Sequence, residues 1–529
     1  MNEDVSGVLC ALPDRIGDVL RPWVESSPDR AALVESSGTW NYGQLNVAVT
    51  ETRTWLQNQG VRPGDRVMIV CENCRAFVVI FLALIGIDAW PVLVNARLSA
   101  REVDQIQSLC GARRVIYTTS VSAQAREHAK RQNAVVEKTE WLGSIAVGAL
   151  NEEAEPEPIE AERASRVAAL IYTSGTTGVP KGVMLTHRNL LFVATVSAKI
   201  RSLTPDDRLY GILPMSHAVG LSVVLLGTLI SGGTLYLAPL FDPVAALAAL
   251  EKHQLTVFLG APASFSLLVE YAKMKGLRSL KFPALRIISS SGAPLHASLK
   301  SEVESLFGLV LHNGYGVTEC SPNIAQTRVE KPCEYVSVGK VFPGVEARLV
   351  GTDGKPVPEG EVGELWVRGP NVMKGYYGAP EETAAAIDQD GWFNTRDLAQ
   401  MQDGKLFIVG RTKELIVRFG FNVYPAEVES VLNAHPEVVR SAIVGRTLEA
   451  DGNEEVIAFI QPRPGSTLTT EQVAHYAEKY LAPYKQPSQI FMVITMPLTP
   501  TGKVVKDDLK KMVTFSSQTP SIGRKSTSV

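Results

Sequence analysis

The run Val167-Ala-Ala-Leu-Ile-Tyr-Thr-Ser-Gly-Thr-Thr-Gly-Val-Pro-Lys-Gly182 joins a continuous apolar strand to a loop of hydroxyls and glycines. A strand without polar alternation is buried on both faces, as in a parallel sheet covered by helices. The loop beyond it, Thr173, Ser174, Gly175, Thr176, Thr177 and Gly178, has the ingredients of a polyphosphate cradle. Glycines let backbone N–H groups approach anionic oxygens, hydroxyls add donors, and Lys181 adds a positive charge. The pattern is not that of a Walker loop. Its spacing is Gly175-x-x-Gly178-x-x-Lys181, and Gly182 stands where Ser or Thr would hold magnesium.

Outward from this run the chain alternates between helical and strand patterns. Tyr42 to Asn58 has helical periodicity, Arg66 to Val70 is strand-like, Arg75 to Ile87 is helical and Arg114 to Thr118 is strand-like. Such alternation implies βαβ units and a largely parallel sheet. The acidic, proline-containing stretch Glu152 to Glu162 reads as a solvated connector, and Thr186 as the N-cap of a helix through Leu190. Between Val338 and Val367 the strands become short and rich in Gly and Pro, which predicts a barrel-like antiparallel piece. A small α+β unit follows, with helices at Ala426 to His435 and Thr470 to Tyr480 and strands at Val438 to Val444 and Val456 to Gln461. The predicted fold is therefore α/β: a large N-terminal domain (1–410), a small α+β domain (411–512), and a disordered tail (513–529).

Composition narrows the partners. The 529 residues carry a net charge of −3 with 20% charged residues, which gives no electrostatic reason to expect nucleic acid. Six cysteines in so long a chain make no disulfide framework, and Cys71-x-x-Cys74 reads as reduced, structural thiols in a cytoplasmic protein. No targeting or integral membrane segment is expected: Ala76 to Ile87 is too short, and Ser231-Gly232-Gly233 divides Ala218 to Pro239.

Further motifs follow in order: Leu213-Pro-Met-Ser-His217-Ala-Val-Gly220-Leu221, Leu259-Gly-Ala-Pro-Ala263, Ser291-Gly-Ala-Pro294, Asn313-Gly-Tyr-Gly-Val-Thr-Glu319, Trp392-Phe-Asn-Thr-Arg-Asp397, Gly410-Arg-Thr-Lys-Glu414 and Pro497-Leu-Thr-Pro-Thr-Gly-Lys503. With the loop, this series from Thr39-Trp-Asn-Tyr42 to Lys503 resembles the adenylate-forming superfamily of acyl-CoA synthetases, aryl-CoA ligases, luciferases and nonribosomal adenylation domains.

The resemblance implies ATP, Mg²⁺ and coenzyme A as cosubstrates and cofactor, and a small carboxylic acid as substrate. The acid would form an acyl-AMP with release of pyrophosphate, then an acyl-CoA with release of AMP. It implies that Ser291, Gly292 and Ala293 wall the adenine opposite Asn313, Gly314, Tyr315 and Gly316. Thr318 would lie near the α-phosphate, Glu319 would be the metal ligand, and Asp397 and Arg411 would bind ribose or phosphate. Lys413 would be the hinge of a domain rotation, and Lys503 the lysine that bridges carboxylate and α-phosphate. Lys503 is also expected to be a target of a lysine acetyltransferase, and a homodimer is compatible with the family.

His217, Gly220, Leu221, Ala261, Ser290 and Gly314 are expected to line the acyl pocket, with His217 at its entrance in a catalytic role, gating it or orienting the carboxylate. Relatives that activate α-amino acids carry an Asp in this region, and malonate-activating ones an Arg where Leu267 stands. Neither is present, which points to a fatty, alicyclic or aromatic monocarboxylate. Two departures stand out: Arg396 replaces the usual Gly before Asp397, and Arg418-Phe419-Gly420-Phe421 replaces paired glycines in the expected CoA segment. An acyl-AMP ligase that loads a carrier protein and a luciferase-like oxygenase remain alternatives on sequence alone.

Overall fold

A computed structural model describes residues 5–173, 179–333, 336–418, 421–447, 454–499 and 502–516. Two compact units emerge. The first comprises Met1–Leu295, Leu299–Thr395 and Met401–Phe407; the second comprises His296–Ser298, Arg396–Gln400 and everything from Ile408 onward.

The first unit is built on two large sheets. In the eight-stranded sheet, Arg66–Cys71 pairs in parallel with Trp90–Asn95 and with Arg114–Tyr117, and Trp90–Asn95 pairs in parallel with Val167–Thr173. Every residue of Arg66–Cys71 is buried, as expected of a strand covered on both faces. The nine-stranded sheet has a parallel centre of Thr234–Leu237, Arg208–Gly211, Val257–Gly260, Ile287–Ser290 and Leu311–Gly316. Both sheets end in antiparallel strands, so the parallel expectation describes their centres. The barrel-like expectation takes the form of a four-stranded sheet in the order Glu346–Val350, Val362–Arg368, Phe393–Gln402, Lys405–Arg411.

Two local expectations are corrected. The helix capped by Thr186 runs well past Leu190, from His187 to Ile200, because its apolar face continues to be buried. The acidic connector is tied down rather than merely solvated. Glu157 pairs with Arg66 at 2.6 Å and accepts the Tyr377 hydroxyl at 2.8 Å, while Glu162 pairs with Arg188.

In the second unit a three-stranded sheet of Val438–Thr447, Glu454–Pro462 and Gln489–Met492 buries opposite faces against different helices. Ile443, Val456, Ala458 and Ile460 pack on Val428, Leu432 and Val473; Ala442, Val444, Ile457 and Phe459 pack with Leu509 and Val513. This is the period-2 alternation of a strand covered on both sides. The last helix spans Lys506–Ser516, so residues 513–516 belong to it rather than to a tail; residues 517–529 lie outside the described residues. Among the described residues no helix is long and apolar enough to cross a membrane. The Cys71 and Cys74 thiols are buried and unbonded to each other, and burial pushes the Cys74 thiol up to about 12.

Candidate active site

The strand ahead of the hydroxyl-rich loop does not lead into a helix. Val167–Thr173 and Lys181–Thr186 pair antiparallel, with Thr173 opposite Lys181 and Tyr172 opposite Gly182. The two strands therefore form an antiparallel pair, whereas in a Walker loop a helix N-terminus follows the strand. Ser174, Gly175, Thr176, Thr177 and Gly178 lie outside the described residues. The Lys181 ammonium lies 5.1 Å from the centroid of the Tyr376 ring, and the Tyr376 hydroxyl donates to Glu319 Oε1 at 3.0 Å. Tyr376 reaches this position because Gly375–Tyr376 pairs antiparallel with the strand that starts at Lys181.

Ile287–Ser290 and Leu311–Gly316 are parallel neighbours, with Ser290 opposite Asn313. Ser291 and Gly314 consequently emerge side by side at the carboxyl ends of two parallel strands, the edge where open α/β sheets bind ligands. Gly292 and Ala293 follow on one side; Tyr315, Gly316 and Thr318 follow on the other. The Asn313 amide donates to Thr327 Oγ1 at 2.9 Å, holding the strand as it leaves the sheet. A Cβ on Gly316 would stand 1.9 Å from the Pro322 carbonyl oxygen, so only glycine fits there.

Beside this edge lies a small, narrow crevice that opens to solvent. Its lining is Arg201, Leu213, Val219, Val223, Leu259, Ser289, Ser291, Gly314 and Asn323. Gly314 is the one residue of the six expected to line the acyl pocket that belongs to it. Ser290 is on the other face of its strand from Ser289 and Ser291, since side chains alternate. Leu221 is fully buried within the π-helical segment Val219–Leu226, two residues from both Val219 and Val223, which face the crevice. Ala261 is buried at the start of the helix Pro262–Met274. Leu267 is half exposed on that same helix. His217 is half-buried and accepts the Leu221 amide on its carbonyl at 2.9 Å. At Gly220 a Cβ would lie 2.1 Å from the Pro214 carbonyl oxygen, which explains glycine in this segment.

In the second unit, Asp397 is 4% exposed and Arg411 Nε donates to its Oδ1 at 3.1 Å. Arg396 has φ 57°, in the left-handed region. That conformation explains why glycine is the usual neighbour, since a side chain there costs about 1–2 kcal/mol. Arg396→Gly is therefore expected to be neutral or stabilising, whereas Arg396→Val, β-branched, costs a further 1–2 kcal/mol or so. Denaturant midpoints of the two variants check this.

Lys413 is exposed in the short helical turn Thr412–Glu414, and Lys503 is exposed on a tight turn whose Thr499 amide donates to the Lys503 carbonyl at 2.7 Å. Arg418 Nη1 donates to the Gln486 carbonyl at 2.6 Å, and Phe421 stacks on Tyr484 with centroids 4.7 Å apart. Phe419 and Gly420 lie outside the described residues.

Residues 20–377 match the family described as AMP-binding enzyme, and residues 427–503 match the AMP-binding enzyme C-terminal domain. The chain belongs to the AMP-binding enzyme family. It is 34% identical over 489 residues to a feruloyl-CoA synthase of Amycolatopsis sp, covering 92% of this chain and 96% of that protein. It is 33% identical to 4-coumarate–CoA ligase-like 6 of Arabidopsis thaliana over 86% of this chain and 83% of that one. ATP-bound MatB from Rhodopseudomonas palustris superposes with a TM-score of 0.80 at 30% identity, covering 94% of this chain and 98% of that one.

Three residues of this AMP-binding enzyme escaped sequence reasoning because they arrive from distant segments. Tyr376 links Lys181 to Glu319. Asn73 donates to the Gly211 and Leu213 carbonyls at 2.9 Å each and accepts the Met215 amide at 2.8 Å, fixing the turn before His217. Arg201 enters the crevice from the end of a helix.

Tyr376→Phe keeps the ring under Lys181 and removes the donor to Glu319. A hydrogen bond to a charged acceptor contributes about 1.5–3 kcal/mol, so kcat/KM for ATP at limiting magnesium should fall roughly tenfold or more. A magnesium titration of pyrophosphate release measures it, and an unchanged curve would remove Tyr376 from the site.

Proposed function

We propose that this AMP-binding enzyme is an AMP-forming acid–CoA ligase acting on an aromatic carboxylic acid. The observation that carries the reading is the convergence of Lys181, Tyr376 and Glu319 in the unit where Ser291 and Gly314 share a strand-end edge with an open crevice. The aromatic preference rests on the feruloyl- and 4-coumarate-activating relatives and on the crevice walls Leu213, Val219, Val223 and Leu259.

Glu319 suits a magnesium ion that arrives with the nucleotide, because Mg²⁺ takes one or two carboxylates and completes its shell with phosphate oxygens and water. When bound there it supplies neutralisation of the polyphosphate charge. Tyr376 keeps the Glu319 carboxylate oriented, and Lys181 adds a cation on the phosphate side. Asp397 accepts the ribose hydroxyls, with Arg411 holding its other oxygen environment fixed. The ionised substrate carboxylate needs no general base. One of its oxygens bonds to the α-phosphorus as the bond to pyrophosphate breaks, and Lys503 offsets the charge shared by nucleophile and phosphate. After rotation about Lys413 the thiol sulfur of coenzyme A bonds to the acyl carbon, its proton is lost to solvent, and AMP leaves.

Arg418 is engaged with the Gln486 carbonyl, so we assign it to shaping the second unit, and Phe421, exposed, to the CoA side. Lys503 is exposed enough to be acetylated, which would neutralise it; unchanged activity after complete acetylation would reject that role. Buried thiols in a reduced state suit the cytoplasm.

A pyrophosphate-release screen over aliphatic and aromatic acids, with and without CoA, tests the proposal. Acid-dependent pyrophosphate and CoA-dependent AMP release are expected. Acid-dependent pyrophosphate with no CoA dependence would replace CoA by another acceptor.

A further inference from the structure

Resting on the ligase reading above, we infer that Arg201 reads the far end of the acid. The substrate carries a second oxygen acceptor, a carboxylate or a phenol, that pairs with this guanidinium at the floor of the crevice.

The depth of Arg201 follows from the sheet. Ser289 is the register partner of His312, and Ser291 and Gly314 lie two residues further along the same strands. Ser289 and Ser291 therefore share a face, with the Ser289/His312 row about 7 Å below the row at the strand ends. The Arg201 carbonyl accepts Arg286 Nη1 at 3.1 Å, and Arg286 stands just before the amino end of Ile287–Ser290, so Arg201 reaches the crevice from the side of the lower row. Leu213, Val219, Val223 and Leu259 line the same crevice. A carboxylate reacting at the Ser291/Gly314 edge would place a para substituent on an aromatic ring near the lower row.

The chemistry of that floor is unfinished. Arg201 is only 4% exposed. Its Nη1 donates to the Ser197 hydroxyl and, at 3.4 Å, to the Ser197 carbonyl, while its buried Nε has no acceptor. The Ser289 hydroxyl in the same crevice is also buried without a partner. Burial lowers the Arg201 pKa to about 10. His312 gives no relief, since burial, and then Arg201 itself, pull its pKa down to about 4 and keep it neutral. A buried cation normally has an anion or several acceptors beside it, because an unpaired one costs several kcal/mol. Here an unpaired N–H and an unpaired hydroxyl share a crevice walled also by Leu213, Val219, Val223 and Leu259, with Ser291, Gly314 and Asn323 completing its lining, and the acid is the group that enters it. Arg201 thus takes the discriminating part that an arginine at the position of Leu267 would otherwise play.

The test compares cinnamate, 4-hydroxycinnamate and 4-carboxycinnamate in pyrophosphate release by the wild-type enzyme, Arg201→Met, Arg201→Gln and Arg201→Lys. A site built to hydrogen-bond a substrate oxygen rejects the analogue that lacks it, so at least one acid with a distal oxygen should exceed cinnamate in kcat/KM by about tenfold or more. The ratio of the phenol to the carboxylate arm identifies which acceptor fits. In Arg201→Met the preference should vanish, chiefly through KM. Arg201→Lys should recover part of the preference. Should Arg201→Met fail to fold, Arg201→Lys retaining a larger preference than Arg201→Gln supports the assignment, and equal preferences overturn it. A wild-type preference for cinnamate, or a preference unchanged in Arg201→Met, overturns it as well. The same acids are scored in parallel by the thermal shift they induce on wild type and variants. If no acid gives pyrophosphate, the ligase reading fails, and the binding arm still decides for or against Arg201.

Discussion

Lys503→Ala is expected to lower acid-dependent pyrophosphate release by roughly 100- to 1000-fold, the size of losing one preorganised charge-stabilising group. The side chain is exposed, and the turn that carries it is held by backbone bonds, including the Thr499 amide to the Lys503 carbonyl at 2.7 Å and the Lys503 amide to Thr499 Oγ1 at 3.1 Å. Alanine leaves those bonds in place, so the second unit should fold unchanged. Thioester formation from a synthetic acyl-AMP should survive, because that step does not need a cation between carboxylate and phosphate. Rapid-quench measurement of each half-reaction distinguishes the two. Equal losses in both, or no loss in the first, would remove Lys503 from adenylation.

Asp397→Ala should have the next largest effect, and on a different quantity. Asp397 is buried, and its carboxylate takes Arg411 on one oxygen. Its proposed role is to accept two ribose hydroxyls, and hydrogen bonds to a charged acceptor are worth about 1.5–3 kcal/mol each. Removing the carboxylate should therefore raise KM for ATP by roughly 10²- to 10⁴-fold, with a smaller effect on the KM for the acid. Arg411, 45% exposed, stays solvated when its partner is gone, so the variant should not lose much stability. Initial-rate kinetics with ATP and acid varied independently give the answer. A KM for ATP within a factor of about three of the wild type would dissociate Asp397 from the nucleotide.

The order of helices and strands was legible because each obeys a simple period. Tyr42–Asn58 and Thr470–Tyr480 form as their patterns predict, each opened by a capping box, at Asn41 and Thr469. The strand Val167–Thr173 was legible from its unbroken apolar run. What the sequence could not show is what comes together from afar. The antiparallel return of Lys181–Thr186 onto Val167–Thr173 depends on strand pairing, which no local motif announces. Tyr376 sits in an unremarkable Gly-Tyr-Tyr-Gly stretch, and its link to Glu319 spans 57 residues.

The crevice was the hardest part to foresee. Its residues come from a helix end, a π-helical turn, four strands and the loops beside them, and a one-residue choice between Ser289 and Ser290 moves a side chain to the opposite face. Arg201 gave no signal in sequence, since an arginine at the end of a helix ordinarily points to solvent. Conversely, the departure at Arg396 was visible at once, and its φ of 57° supplies the physical reason.

The most direct test follows the oxygen atoms of the acid. An aromatic acid labelled with ¹⁸O in both carboxylate oxygens is turned over with unlabelled ATP and CoA, and the products are weighed by mass spectrometry. Attack on the α-phosphorus followed by thiolysis predicts AMP carrying one ¹⁸O, pyrophosphate carrying none, and a thioester retaining one. Label appearing in inorganic phosphate beside ADP, or AMP free of label, would contradict adenylation of the carboxylate by this enzyme.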